Sequence, residues 1–414
     1  MPAHSKATAF VLGLTTGGLA AVRSLGRAGI PVVGLDWWLG DARTRYGVIR
    51  RCPPPDRPEE MLAFLIRQAE GLEQPGILVP ARDYFVELLG AHQEELGRYF
   101  RFHAMSEAVR QAAVDKRRQY EAALALGVPC PKTFFPQTAG DLEGVEDRLR
   151  YPVFLKPLYS HRWRSSFKHK GIVVHNREQL REGFQGAQKA GYAVLAQEVI
   201  PGPDSNLFKF CTYIDSADRV LAAVVLRKLR QWPVHFGEGS LVSSVEEPEV
   251  ARLGLRYCAG LGFRGIAEVE FKRDERDGIY KLMELNPRLW SNAQLVIDSG
   301  ANLPLLAYLD LAGERPEPQL AYRQGVKWLR LNYDLRSFLW SFRHEGLSPW
   351  TWLRSLWGVS SHAYFAWDDP GPLCGKLADF LGGGVGRLLP ARGSKLKSTA
   401  CATAPAAAPE PPAR

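Results

Sequence analysis

Residues 9–36 change their hydrophobic period twice, and that leaves few folds open. Residues 9–14 (AFVLGL) are a short apolar run and TTGG (15–18) a turn. Residues 19–28 have helical periodicity and Gly29 stops them; 30–35 are a second apolar run ending at Asp36. Two strands joined through a helix run parallel, so this β-turn-α-β unit predicts a parallel sheet. Residues 61–71 read as a helix and 76–80 (GILVP) as another strand. Arg82 and Asp83 fall just past its carboxyl end, where open α/β sheets place ligands. A helix follows over roughly 84–96, so residues 1–108 are expected to form a small Rossmann-like α/β domain. Gly13, Gly17, Gly18 and Asp36 suggest a dinucleotide turn, but the spacing is not GxGxxG. A tight turn that needs glycine for its backbone is the favoured reading.

The chain of 414 residues is long enough for two or three cores, and 46% hydrophobic with 23% charged residues is ordinary for a globular protein. A net charge of +9 suits anionic ligands such as nucleotides, and equally a nucleic acid or membrane surface. No K/R-rich tract with interleaved aromatics is present, which argues against nucleic acid. The six cysteines (52, 130, 211, 258, 374 and 401) form no CxxC pair, as expected of free thiols in a reducing compartment. No signal-peptide or transmembrane run is visible, so a cytoplasmic location is expected.

Beyond the first domain, residues 115–126 (DKRRQYEAALAL) read as a helix closed by Gly127, and 151–157 (YPVFLKP) as a strand. The basic loop SHRWRSSFKHKG (160–171) follows. Residues 172–175 and 194–200 (VLAQEVI) are strands around a helix over 178–190. Residues 208–214 and 220–229 form an antiparallel pair, 249–261 a helix, and 265–273 and 280–286 two strands joined by the charged turn DERDG. Trp328, Trp340, Trp350, Trp352, Trp357 and Trp367, with many arginines, mark a change of character after residue 326. Residues 315–390 are expected to be a Trp/Arg-rich helical extension and 391–414 a disordered Ala/Pro tail.

The chemistry concentrates in MELNPRLWSN (283–292). Glu284 and Asn286 stand two apart, so a strand points both to one side, and Pro287 ends the pairing. They either hold a cation or cap a turn. Glu268, Glu270 and Glu284 lie on two strands that the charged turn pairs, with Glu270 and Glu284 facing across the ladder. Facing like charges are unfavourable unless a cation lies between them, and Mg²⁺ takes such oxygen ligands. Lys156 ends the apolar run FLK, where burial without a partner is costly. Lys116 opens a helix, the wrong end for a cation unless an anion is near.

The ordered set of Lys116, Lys156, polar loop, QEVIPG (197–202), Glu270 and ELNPR (284–288) resembles the ATP-grasp superfamily over residues 116–313. The resemblance implies an ATP-grasp fold, α/β with an α+β central part, over 109–314 with a lid subdomain at about 130–200. Lys116 and Lys156 would contact the nucleotide phosphates, and residues 160–171 would be the lid. Gln197, Glu198, Val199 and Ile200 would recognise adenine, and Asp204 the ribose. Glu270, Glu284 and Asn286 would hold Mg²⁺ (or Mn²⁺), and Arg288 would steady the transferred phosphate. The lid departs from the family's Gly/Ser-rich pattern. The pattern resembles carboxylate–amine ligases of the D-aspartate ligase kind, which convert a carboxylate to an acyl phosphate with ATP and join it to an amine. Arg227 and Lys228 are candidates for the substrate carboxylate, with an exposed charged strand as the equal alternative. Two other classes stay open: an NAD-dependent oxidoreductase using the N-terminal unit, and a non-catalytic, ATP-binding, membrane-associated scaffold using the Trp-rich region at 326–368.

Overall fold

The computed structural model describes residues 6–39, 43–158 and 171–382. They form two compact units, one from Met1–Cys130 with Ile200–Leu388 and the other containing Pro131–Val199. The larger unit begins with a parallel sheet of β1 (Ala9–Leu12), β2 (Val32–Asp36), β3 (Val48–Arg51), β4 (Gly76–Pro80) and β5 (Phe100–Arg101), ordered β3-β2-β1-β4-β5. Helix Thr16–Arg27 links β1 to β2, so the expected β-turn-α-β unit is present. Its glycines serve close approach. Gly13 has φ +102°, and a Cβ there would lie 2.6 Å from Arg82 Cγ. A Cβ on Gly17 would lie 2.1 Å from the Trp290 carbonyl oxygen. Asp36 is buried and accepts from the Leu14 N–H at 2.6 Å and from Arg82 Nε at 2.9 Å. Turn and acid are thus accounted for by packing, without a dinucleotide.

In the smaller unit, β6 (Thr133–Phe134), β7 (Val153–Pro157), β8 (Ile172–Val174) and β9 (Val194–Glu198) make an antiparallel sheet ordered β6-β9-β7-β8. Val153 and Leu155 alternate inward along β7 to meet Leu142, Leu180 and Phe184 of the covering helices. Phe154 and Lys156 occupy the other face. Of the lid predicted at residues 160–171, all but Gly171 lies outside the described residues, as do the tail residues 391–414.

The second sheet of the larger unit contains β10 (Leu207–Ile214), β11 (Val220–Trp232), β12 (Glu238–Val245), β13 (Gly265–Arg273), β14 (Tyr280–Asn286), β15 (Lys327–Leu329) and β16 (Val359–His362). Its order is β14-β13-β10-β11-β12-β15-β16. The Trp-rich segment is helical over Leu331–His344 and Pro349–Ser355, and it also adds β15 and β16 to this sheet. One core joins both sheets of the unit: Val11, Val22 and Val79 pack with Cys211, Leu226, Trp290, Leu303 and Trp328.

The Trp-rich helices are fixed by a buried carboxylate. Asp334 accepts from Arg230 Nε at 2.9 Å and Nη2 at 2.8 Å, from Ser240 Oγ at 3.0 Å and from Trp352 Nε1 at 2.9 Å. One acid therefore ties helix Leu331–His344 to β11, β12 and helix Pro349–Ser355. Asp334→Ala would leave the largely buried Arg230 uncompensated, a loss of roughly 3–5 kcal/mol. We expect a clear drop in apparent Tm, with Trp352→Phe costing less because it removes one donor. An unchanged melting curve for Asp334→Ala would contradict this role.

Candidate functional site

The register of the large sheet gathers its ionised residues on one face. Antiparallel partners point to the same side, and Glu268 pairs with Asn286, Glu270 with Glu284 and Lys209 with Glu270. The facing of Glu270 and Glu284 follows from the hairpin that the charged turn closes. Leu226, opposite Lys209, extends this face to β11, where Lys228 stands two residues further along. Three glutamates, an asparagine and two lysines thus share a surface that a sheet would ordinarily fill with aliphatic side chains.

Each glutamate has a cation against it. Lys209 Nζ lies 2.6 Å from Glu268 Oε2. Lys228 pairs with Glu270 and Lys116 with Glu284. Asn286 Nδ2 donates to Glu268 Oε1 at 3.1 Å, and Asn286 Oδ1 accepts from Arg288 Nη2 at 3.2 Å. Arg288 in turn pairs with Asp83 and donates to the Leu289 carbonyl at 3.0 Å. Burial pushes the Glu268 carboxyl up, and Lys209 offsets this only in part, with Glu270 adding to it. Burial also opposes ionisation of Glu270, but Lys228 and Lys209 outweigh it and hold its pKa below the ordinary range. Lys116, Lys209 and Arg288 are held above their usual values, because their carboxylate partners outweigh the cost of burial.

Lys116 reaches Glu284 because its helix is pinned to the edge strand. Asp115 caps helix Lys116–Ala125 by accepting from the Arg117 N–H at 2.7 Å. Within that helix, Gln119 Oε1 accepts from the Leu285 N–H at 3.0 Å and the Tyr120 hydroxyl donates to the Met283 carbonyl at 2.9 Å. The helix thereby covers the outer edge of β14 and sets its own N-terminus beside Glu284.

The other sequence candidates lie elsewhere or are already engaged. Lys156, Gln197, Glu198 and Val199 belong to the smaller unit and Ile200 to the larger. Gln197 Nε2 donates to Thr133 Oγ1 at 2.8 Å, Glu198 Oε1 accepts from the Lys132 N–H at 2.9 Å, and the Val199 N–H donates to the Pro152 carbonyl at 3.1 Å. Asp204 accepts from Gln231 Nε2 at 2.8 Å and the His235 N–H at 3.2 Å. These bonds and the His235 imidazole hold its carboxyl below the usual range against the opposing effect of burial. Arg227 and Lys228 point to opposite faces of β11, so they do not act as a pair on one carboxylate. Arg227 lies over the Phe208 ring and donates to the Ser205 carbonyl at 2.6 Å, while Lys228 joins the acid face. Lys209 is absent from the sequence candidates, although a lysine between Phe208 and Phe210 on an apolar strand was its signal. Asp83, just past the end of β4, opens helix Asp83–Ala91 and holds Arg288.

No protein-family model matches the chain. D-aspartate ligase of Enterococcus faecium is 25% identical over 274 residues, 64% of this chain. D-alanine–D-alanine ligase B of Chromobacterium violaceum is 26% identical over 207 residues, 48% of this chain. Each match spans 65% of the ligase's own length. Biotin carboxylase of Campylobacter jejuni, solved as a β-γ-ATP complex, superposes with a TM-score of 0.62 at 16% identity, covering 77% of this chain and 73% of that one. The biotin carboxylase domain of Hydrogenobacter thermophilus 2-oxoglutarate carboxylase, solved with MgADP, ADP and bicarbonate, superposes with a TM-score of 0.62 at 17% identity and the same coverage. The fold is the ATP-grasp fold. In sequence the chain is similar to D-aspartate and D-alanine–D-alanine ligases.

Removing one member of a buried ion pair costs more than removing both, because a lone charge is left behind. Lys209→Met is expected to destabilise the protein by roughly 3–5 kcal/mol. Adding Glu268→Gln should restore much of that loss, as measured by a double-mutant cycle in urea. Additive losses would show that the two residues do not depend on each other.

Proposed function

We propose that the protein is an ATP- and Mg²⁺-dependent ligase that activates a carboxylate as an acyl phosphate and joins it to an amine. The observation that carries this is the strand end where Glu270 faces Glu284, with Asn286 and Arg288 following and Lys116 against Glu284. Glu270, Glu284 and Asn286 offer only oxygen and amide groups, the donor set that suits Mg²⁺ or Mn²⁺. Among the described residues no group of three or more His, Cys, Asp or Glu is drawn together in metal-holding geometry. Lysines balance these carboxylates instead. The cation, when bound, offsets negative charge on the phosphates.

The chain's own groups account for the rest. A substrate carboxylate oxygen attacks the γ-phosphorus of ATP, and the bond from that phosphorus to ADP breaks. The amine nitrogen then attacks the acyl carbon, phosphate leaves, and a proton is lost from the nitrogen. No protein nucleophile takes part. Lys116 would exchange Glu284 for a nucleotide phosphate, since each is an anion it can neutralise. Arg288, aimed by Asp83 and Asn286, is suited to a planar or tetrahedral oxyanion. The nucleotide roles of Lys156 and Gln197–Ile200, and the ribose role of Asp204, rest on the family resemblance. The free thiols of Cys52, Cys211, Cys258 and Cys374 fit a reducing compartment such as the cytoplasm.

ADP release measured over a panel of amino acids and other carboxylic acids tests the proposal. At least one carboxylate–amine combination should stimulate release in the presence of Mg²⁺, and EDTA should abolish it. Glu284→Gln should lower kcat by about 100-fold or more. A broad panel that elicits no turnover beyond that of Glu284→Gln would refute the ligase assignment.

A further inference from the structure

The Trp-rich segment divides its aromatic residues between two faces. Trp328 is wholly buried in the core, and Trp352 stacks on Phe338 at 4.7 Å while donating to Asp334. Trp350 and Leu353 of helix Pro349–Ser355 and Trp357 of the turn after it fall at i, i+3 and i+7, the spacing of a single helical stripe. They are 74%, 53% and 85% exposed. Phe342, at the end of the preceding helix, is 51% exposed. An isolated exposed apolar residue needs no explanation, but a stripe of two tryptophans and a leucine on a rigidly held helix does.

The surrounding charge indicates what covers it. Residues 327–358 contain five basic residues (Lys327, Arg330, Arg336, Arg343, Arg354) and two acids. Of the acids, Asp334 is buried and neutralised by Arg230, and Glu345 lies 3.4 Å from His235 Nε2. Arg354, next to Leu353 on the same helix, and Arg343, near the end of the preceding helix, are both exposed. Lys327 Nζ donates to the carbonyls of Ser355 at 3.2 Å and Trp357 at 2.8 Å, which caps the helix end and brings a fixed positive charge to the base of the stripe. Exposed tryptophans flanked by arginines match the two layers of a bilayer interface, apolar below and anionic at the headgroups.

We propose that this face docks the protein peripherally on an anionic lipid surface, with Trp350, Leu353 and Trp357 entering the interface and Arg343 and Arg354 meeting lipid phosphates. Among the described residues no helix is long and apolar enough to cross a membrane, so the contact lies on the surface. It is independent of the ligase assignment, since none of these residues belongs to the carboxylate–lysine network.

Vesicle flotation of the full chain tests this, using phosphatidylcholine vesicles with and without phosphatidylserine. Binding is expected with phosphatidylserine, accompanied by a blue shift in tryptophan emission. Trp350→Ser with Trp357→Ser should lower binding about tenfold or more while the melting curve stays unchanged, because both side chains are exposed. Arg343→Glu with Arg354→Glu should remove the preference for anionic vesicles. Failure of the wild-type chain to float, or equal flotation of the tryptophan variant, would overturn the proposal. So would dimerisation in solution that the tryptophan substitutions abolish without any vesicle binding, which would assign the face to a second copy of the chain.

Discussion

A carboxylate set into the face of a β-sheet stays charged only if a cation is held against it, and this requirement organises the larger unit. Glu268, Glu270 and Glu284 are balanced by Lys209, Lys228 and Lys116, drawn from three different elements. Buried pairs of this kind add little net stability, since desolvation offsets most of the Coulomb attraction. Their consequence is positional. β10, β11, β13 and helix Lys116–Ala125 must keep their register, because a slip of one residue would move the charges to the opposite face.

The asymmetry between Glu268 and Glu270 follows from the same geometry. Glu268 has one lysine and a neighbouring carboxylate, so burial prevails and its affinity for a proton rises. Glu270 feels two lysines and stays ionised more readily. Two acids separated by one residue on a single strand thereby acquire different proton affinities. The C-terminal segment uses a buried carboxylate differently. Asp334 locks helices onto β11 and β12, and in doing so turns the stripe of Trp350, Leu353 and Trp357 outward.

Much of this was legible along the chain. The change of hydrophobic period over residues 9–36 implied the parallel N-terminal sheet, and the turn DERDG between two apolar runs implied the hairpin that sets Glu270 opposite Glu284. The order of Lys116, Lys156, QEVIPG and ELNPR carried the ATP-grasp resemblance. Lys209 was not singled out, because one charged residue inside an apolar strand is visible in sequence while its partner two strands-worth of chain away is not. Arg227 and Lys228 looked like a pair because they are adjacent, yet adjacent strand residues point apart.

The sequence by itself determined the N-terminal β-turn-α-β unit, the hairpin and the short-range placement of Glu284, Asn286 and Arg288, since those follow from local periodicity and from proline ending a strand, whereas the strands β15 and β16 within the expected helical extension came only with the sheet. Only the tertiary structure decided which lysine answers which glutamate, that Asp83 aims Arg288, and which tryptophans of the C-terminal segment are buried. These depend on strand order and helix docking, which bring together residues far apart in the chain, and no local pattern encodes such distances.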